Sequence, residues 1–191
     1  MSALQPGQVA AIVTHLEMRA RPRPAPLPAC PLRLTRWKAP ALDKYRALFR
    51  RVGEPWLWFS RLAMTDAAVE AIIHDPAVEV HAVLDPRGIE VGLVELDFRE
   101  AGQCQIAFFG LVPQLTGQGF GRWLMAQTLM LGWRRDVTRV AVHTCTLDHA
   151  NALPFYIRMG FVPVRREVET FADPRLSGLL PRDAAPQIPI L

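Results

Sequence analysis

The segment Val112–Met125, VPQLTGQGFGRWLM, sets Gly117, Gly119 and Gly121 at alternate positions, where an apolar strand-like run gives way to a helical pattern. Glycine weakens either element, so the spacing answers a need for bare backbone. A strand that ends in a glycine-rich turn and opens a helix is an anion site. The first amides of the helix lack internal partners, the helix dipole adds positive potential, and a phosphate approaches without meeting a Cβ. Two nucleotide signatures fail on the letters. The Walker pattern needs Gly-Lys-Ser/Thr, whereas Gly121 is followed by Arg122 and Trp123; the dinucleotide fingerprint needs GxGxxG, and this is GxGxG.

The elements that must position this turn follow from periodicity. Residues 9–18, apolar and β-branched, read as a first strand, and ARPRPAPLPACP, with five prolines in twelve residues, reads as an extended surface connector. LRLTRW alternates as a short strand. ALDKYRALFRRVG spaces Leu42, Tyr45, Leu48 and Phe49 as an amphipathic helix with Gly53 as its stop. TDAAVEAIIHD is a second helix capped by Thr65 or Asp66. VEVHAVLD and IEVGLVELDF flank the turn PRG as a hairpin, and CQIAFFGLV leads into the glycines. Beyond them come a helix over 120–133, the strand TRVAVHTCT, the short helix HANALPFYIRMG and the strand FVPVRREVETF. This order predicts an α/β (α+β) domain, a mixed sheet with helices on its faces.

The 191 residues fit one domain: a strand and proline-rich connector over 1–31, a core over 80–172 and an irregular, apolar, proline-rich tail over 173–191 that docks on a neighbouring subunit of a homodimer. Half the residues are hydrophobic and 21% are charged, as in soluble globular proteins. No apolar run reaches the ~18 residues of a membrane span, and the N-terminus lacks a basic signal region, so the expectation is a cytoplasmic protein without a membrane partner. Cys30, Cys104 and Cys145 form neither a CxxC pair nor a zinc spacing; they read as small hydrophobes, and no metal is expected. The net charge of +4 rests on arginines scattered along the chain. That suits solvated faces and an anionic small ligand better than nucleic acid.

The glycine stretch resembles the acyl-CoA pyrophosphate loop of the GNAT superfamily of N-acetyltransferases, Q/R-x-x-G-x-G/A, through Gln114, Gly117 and Gly119. A second match lies downstream in LDHANALPFYIRMGF, where Asp148, Ala152, Phe155, Tyr156, Gly160 and Phe161 fall in register with a later motif of that superfamily. In place of its usual asparagine stands His149, with Asn151 two residues later. The resemblance covers about residues 80–172 and implies a largely antiparallel sheet of six to seven strands, splayed in the middle. It implies acetyl-CoA as donor and direct attack by an amine on its thioester. The residues it assigns to the cofactor are Gly110, Leu111 and Val112 at the strand end; Gln114, Gly117, Gln118, Gly119, Phe120, Gly121 and Arg122 in the loop; and His149, Asn151 and Phe155 beyond. Gly110 suits a gap, because a missing side chain lets another backbone approach; a simple bulge is the alternative.

Tyr156 occupies the place of a tyrosine that protonates the departing thiolate. Alternation in VGLVELDF puts Leu93, Glu95 and Asp97 on one face, and a carboxylate on an inner strand needs a reason. Glu95 is therefore the candidate base, with His143 and His149 as substitutes and a solvated face as the alternative. EPWLWFSRLAM supplies Trp56, Trp58 and Arg61, either as aromatics packed on the sheet or as an acceptor pocket whose arginine clamps a carboxylate. The activity expected is N-acetylation of a small-molecule amine. The alternatives are a peptide acceptor and a catalytically silent acyl-CoA-binding module.

Overall fold

The computed structural model describes residues 4–23 and 25–191; residues 1–3 and Pro24, inside the proline-rich connector, lie outside it. Its strands are β1 (Gln8–Met18), β2 (Arg33–Trp37), β3 (Val78–Leu84), β4 (Glu90–Asp97), β5 (Gln103–Leu111), β6 (Arg139–Cys145) and β7 (Val162–Ala172). They form one sheet in the order β2-β3-β4-β5-β6-β1-β7. Every neighbouring pair is antiparallel except β5 and β6, which α4 (Phe120–Gly132) connects. Before the hairpin stand α1 (Leu42–Gly53), the single turn α2 (Ser60–Ala63) and α3 (Asp66–Ile73); α5 (Ala152–Arg158) precedes β7.

Local chemistry accounts for these elements. In α1, Tyr45, Leu48, Phe49 and Val52 recur at helical spacing and are all buried against the sheet. The Thr65 side chain caps α3 by accepting the Ala68 amide. Two cores result. One lies under α1 and α3, around Phe49, Val80 and Leu93; the other lies under α4 and α5, around Leu96, Ile106, Leu124 and Met125.

The first strand is not at an edge. β1 lies between β6 and β7, so it is structural in the half of the sheet that carries the later motif. Five strand spacings separate it from β2, roughly 24 Å, and the two strands run the same way, so the chain must also travel back along the sheet. An extended connector gains about 3.1 Å per residue where a helix gains about 1.5 Å, which is why a proline-rich segment serves here.

The sheet divides between β5 and β6. Only Gln103–Ile106 pair with Arg139–Val142, although β5 continues to Leu111. On its other side β5 keeps pairing with β4, but the register shifts so that Ala107 is an extra residue opposite Glu95 and Leu96. A bulge bends its strand, and this one falls directly after the last β5–β6 pair. The slot between the half-sheets therefore begins at Ala107, not at Gly110.

The tail has no regular structure, but it is fixed to its own domain. Arg175, 3% exposed, pairs with Asp173 at 2.7 Å and donates to the carbonyls of Ala184 and Ile188. Leu180, Ala184 and Ala185 are buried in the α1-side core. Among the described residues no helix is long and apolar enough to cross a membrane.

Candidate functional site

A cleft of about 580 Å³ follows the slot from the turn before α4 to the α1 face of the sheet. At its first end Gly117 has φ +79° and Gly119, the N-cap of α4, φ +83°. A Cβ at either would meet nothing within 4 Å, so left-handed backbone, not space, requires glycine there. Gly121 is helical, and its missing Cβ would stand 3.6 Å from the Phe155 ring, an ordinary contact. Among the described residues the amides of Gly117 to Gly121 donate to no backbone carbonyl, whereas the Arg122 amide is bonded to Gly119 at 3.1 Å. The row of free donors therefore stops at Gly121, and Arg122 also lines the cleft. Gln118 turns back to brace the loop, donating to the Gln114 carbonyl at 2.7 Å. Gln114, Gln118 and Phe120 stand outside the cleft wall. Val112 is buried in the α1-side core, and its amide closes the β4–β5 pairing on Val91.

Along the slot, Ala107 to Leu111 line the cleft with a strand edge that β6 no longer pairs. Gly110 does not leave room for a partner in the gap. A Cβ there would lie 2.7 Å from Val52 Cγ1 and 3.2 Å from Trp58 Cη2, so the space admits α1 and an indole. Gly53 answers the same indole. It is not left-handed, and a Cβ on it would stand 2.4 Å from Trp58 Cβ. Trp58 packs against Phe49 and Phe108 and donates from Nε1 to Asp148 Oδ1 at 3.3 Å, across the slot. Trp56 sets its ring on His149, 5.5 Å between centroids. Both indoles line the cleft and tie the loop before α2 to the loop after β6.

That second loop is held by Asp148, whose other oxygen accepts the Thr144 hydroxyl at 2.6 Å and the Cys145 amide at 2.9 Å. His149 accepts the Asn151 amide at Nδ1, and both residues line the cleft. Phe155 and Tyr156 close the α4–α5 side against Phe109. Tyr156 is 6% exposed, and burial, with Asp148 second, pushes its phenol far above the usual range; it stays protonated.

Glu95 and Arg61 are brought together, but away from the cleft. Glu95 is fully buried under α1; its oxygens accept Arg61 Nη2 and the Tyr45 hydroxyl, each at 2.5 Å. Burial, then the Glu95 charge, raises the Tyr45 pKa, so that phenol too stays neutral. Both Glu95 oxygens are bound, whereas Arg61 keeps its Nε buried without a partner. A carboxylate bound at both oxygens is not placed to take a substrate proton, and an arginine bound to it is not free to clamp a substrate. The acidic residue on the inner strand is explained by its ion pair.

His143 does line the cleft. Dehydration by the cleft walls, and secondarily the His15 ring 5.8 Å away, lower its pKa from the ordinary 6.5, so the imidazole is neutral at pH 7. Sequence reasoning missed Phe108, Ala11, Glu169, Phe171 and Arg158 on the wall. The alternation of β5 could have paired Phe108 with Gly110. Nothing local marks Ala11 or Glu169, because only the sheet order brings β1 and β7 beside β6. No group of three metal-ligating side chains occurs among the described residues.

Comparison with known proteins finds that the model of the acetyltransferase (GNAT) family matches residues 45–161. Among solved structures the chain is similar to a GCN5-related N-acetyltransferase from Sphaerobacter thermophilus, with TM-score 0.61 and 20% identity, covering 87% of this chain and 52% of that one. A tandem GNAT protein from the clavulanic acid biosynthesis pathway gives TM-score 0.60 and 17% identity, covering 84% and 53%. A GCN5-related N-acetyltransferase from Kribbella flavida gives 0.54 and 16%, covering 90% and 63%. At these identities the likeness is one of fold, and the chain spans between about half and two thirds of their length. No curated protein matches the chain.

Proposed function

The chain belongs to the acetyltransferase (GNAT) family, and from that premise we propose that it moves an acetyl group from acetyl-CoA to the primary amine of a small molecule by direct attack. One observation carries this reading: a single cleft joins Gly117, Gly119 and Gly121, whose amides donate to no backbone carbonyl among the described residues, the unpaired edge Ala107–Leu111, and Tyr156 and His143. The glycine amides and Arg122 would hold the diphosphate, and the strand edge would hold the amides of the pantetheine arm. Bound acetyl-CoA supplies a thioester carbonyl carbon, to which the amine nitrogen forms a C–N bond as the C–S bond breaks.

The chain's own part is to move two protons. His143, neutral at pH 7, takes the proton that the amine must lose, and Tyr156 gives its phenolic proton to the departing sulfur and recovers one from water. A phenol whose pKa is raised is a weak acid, so Tyr156 contributes at the low end of the usual range, about a hundredfold. Cys145 also lines the cleft, but burial pushes its thiol up to about 11. A thiol protonated at pH 7 favours direct attack over an acyl-cysteine.

The test is calorimetry with coenzyme A together with thiol release from acetyl-CoA and a panel of amines. Wild type is expected to give heat and amine-dependent thiol. Gly119→Val, forced into the left-handed region, is expected to lose the heat. Tyr156→Phe is expected to keep the heat and lose about a hundredfold in kcat. Absence of heat in the wild type sinks the reading; heat without thiol leaves a binding module.

A further inference from the structure

The far end of the cleft, on the α1 face, has a composition of its own. Its walls are Trp58, Phe59, Phe108 and Phe171, with Phe59 and Phe171 in ring contact at 4.8 Å. Its floor is Ala11 on β1, which pairs directly with Glu169 on β7. Directly paired residues share a face of the sheet, so Glu169 stands at the rim beside Ala11. The cations on the cleft wall are elsewhere. Arg122 follows the glycine turn, and Arg158 lies one turn along α5 from Phe155, which touches Gly121; both belong to the diphosphate end. Arg61, the side chain that could have met a carboxylate, is bound to Glu95 and does not line the cleft. The contacts of Trp58 with Asp148 and of Trp56 with His149 cross the slot and leave the Glu169 rim as the approach.

We infer that the acceptor is a primary amine with an apolar, ring-bearing or branched body and no carboxylate, its ammonium group met by Glu169 on the way in. The inference rests on the acetyl-transfer reading above and narrows it. A carboxylate on the acceptor would enter an aromatic chamber with no free cation and with an acidic side chain at its rim. Desolvating it there without a partner is costly, whereas an apolar body gains by burial.

The experiment compares acceptors that differ in the carboxylate alone. Thiol release is measured with 2-phenylethylamine, L-phenylalanine amide and L-phenylalanine, with spermidine and a lysine-containing peptide alongside, on wild type and Glu169→Gln. Coenzyme A binding is followed by calorimetry in both. For 2-phenylethylamine kcat/KM is expected to exceed that for phenylalanine by at least about tenfold, with the amide between them. Glu169→Gln is expected to lower the phenylethylamine value about fivefold, as for a half-solvated ion pair, with the heat of coenzyme A binding unchanged. Phenylalanine turned over as fast as phenylethylamine, a preference for the peptide or spermidine, or indifference to Glu169→Gln overturns the inference while acetyl transfer stands. No heat with coenzyme A, or thiol release with none of these amines, removes acetyl transfer itself and the inference with it.

Discussion

The α1 face of the sheet treats ionisable groups in opposite ways on its two halves. Over β3, β4 and β5 it is sealed by α1 and α3, and the one carboxylate at its centre, Glu95, is wholly buried and bound by Arg61 and Tyr45. Over β6, β1 and β7 no helix packs among the described residues, and His143, His15, Glu167 and Glu169 stand exposed or half-exposed, with His15 and Glu167 in contact at 2.6 Å. Burying a charge is costly and obliges it to find partners, after which its lone pairs are occupied. On the open half the cost is smaller, though enough to lower the His143 pKa, and among the described residues His143 and Glu169 keep their lone pairs for a substrate while His15 and Glu167 hold each other. Titratable residues on this face are therefore structural where they are most hidden and available where the sheet is bare.

The contrast can be broken from the open side first. His143→Ala is expected to lower kcat by about a hundredfold to ten-thousandfold while leaving the unfolding transition in place. In wild type kcat is expected to rise with pH and level off at a midpoint below 6.5, because the lowered pKa keeps the imidazole neutral. A His143→Ala enzyme of wild-type rate would return the base to the sealed half. From that half, Arg61→Ala strands a buried carboxylate and is expected to cost about 3–5 kcal/mol in urea unfolding, recovered in the triple variant Tyr45→Phe/Arg61→Met/Glu95→Leu, which also removes the hydroxyl that Glu95 accepts. Loss of turnover in that triple variant, with stability restored, would give the group a chemical role.

Gly53→Ala probes the seam between the halves. Its Cβ would collide with Trp58 Cβ, which cannot swing aside as a side-chain tip would, so about 1–3 kcal/mol of stability should be lost to overpacking. Retained stability would mean that the indole is not wedged as described. The smallest effect concerns Glu79, on the opposite face, bonded to His81, Arg134 and Arg36. Its hydrogen bond with His81 outweighs desolvation and, with Arg134 and Arg36, holds its pKa at about 2. A carboxylate lowered from 4.5 stabilises the fold fully above pH 4.5 and progressively loses that contribution towards pH 2. Glu79→Gln should flatten this acid limb of the unfolding free energy and leave turnover at neutral pH unchanged.

Much of this was readable from the letters, and the reason is locality. Strand and helix periods and the Thr65 cap are each set within a few residues, and each corresponds to an element seen. The alternate glycines could likewise be assigned to a turn before a helix, because a left-handed backbone is a property of single residues. The explanations given for Gly53 and Gly110 were another matter. Both make room for Trp58, and no spacing rule links either to a tryptophan whose arrival depends on how a turn folds over the sheet. Glu95 was located on the correct face and still misread, because its partners come from α1 and α2 and only packing brings them to it.

What the sequence determined by itself was the strands and longer helices, the glycine turn before α4 and the resemblance that named a donor. Tertiary structure alone decided which ionisable groups face the cleft. It inserted the first strand between β6 and β7, placed the bulge at Ala107 that opens the slot, and brought Ala11, His143 and Glu169 to one wall. The physical reason is that periodicity encodes the face a side chain takes, while its neighbours on that face depend on strand order, which is settled by burial summed over the whole sheet.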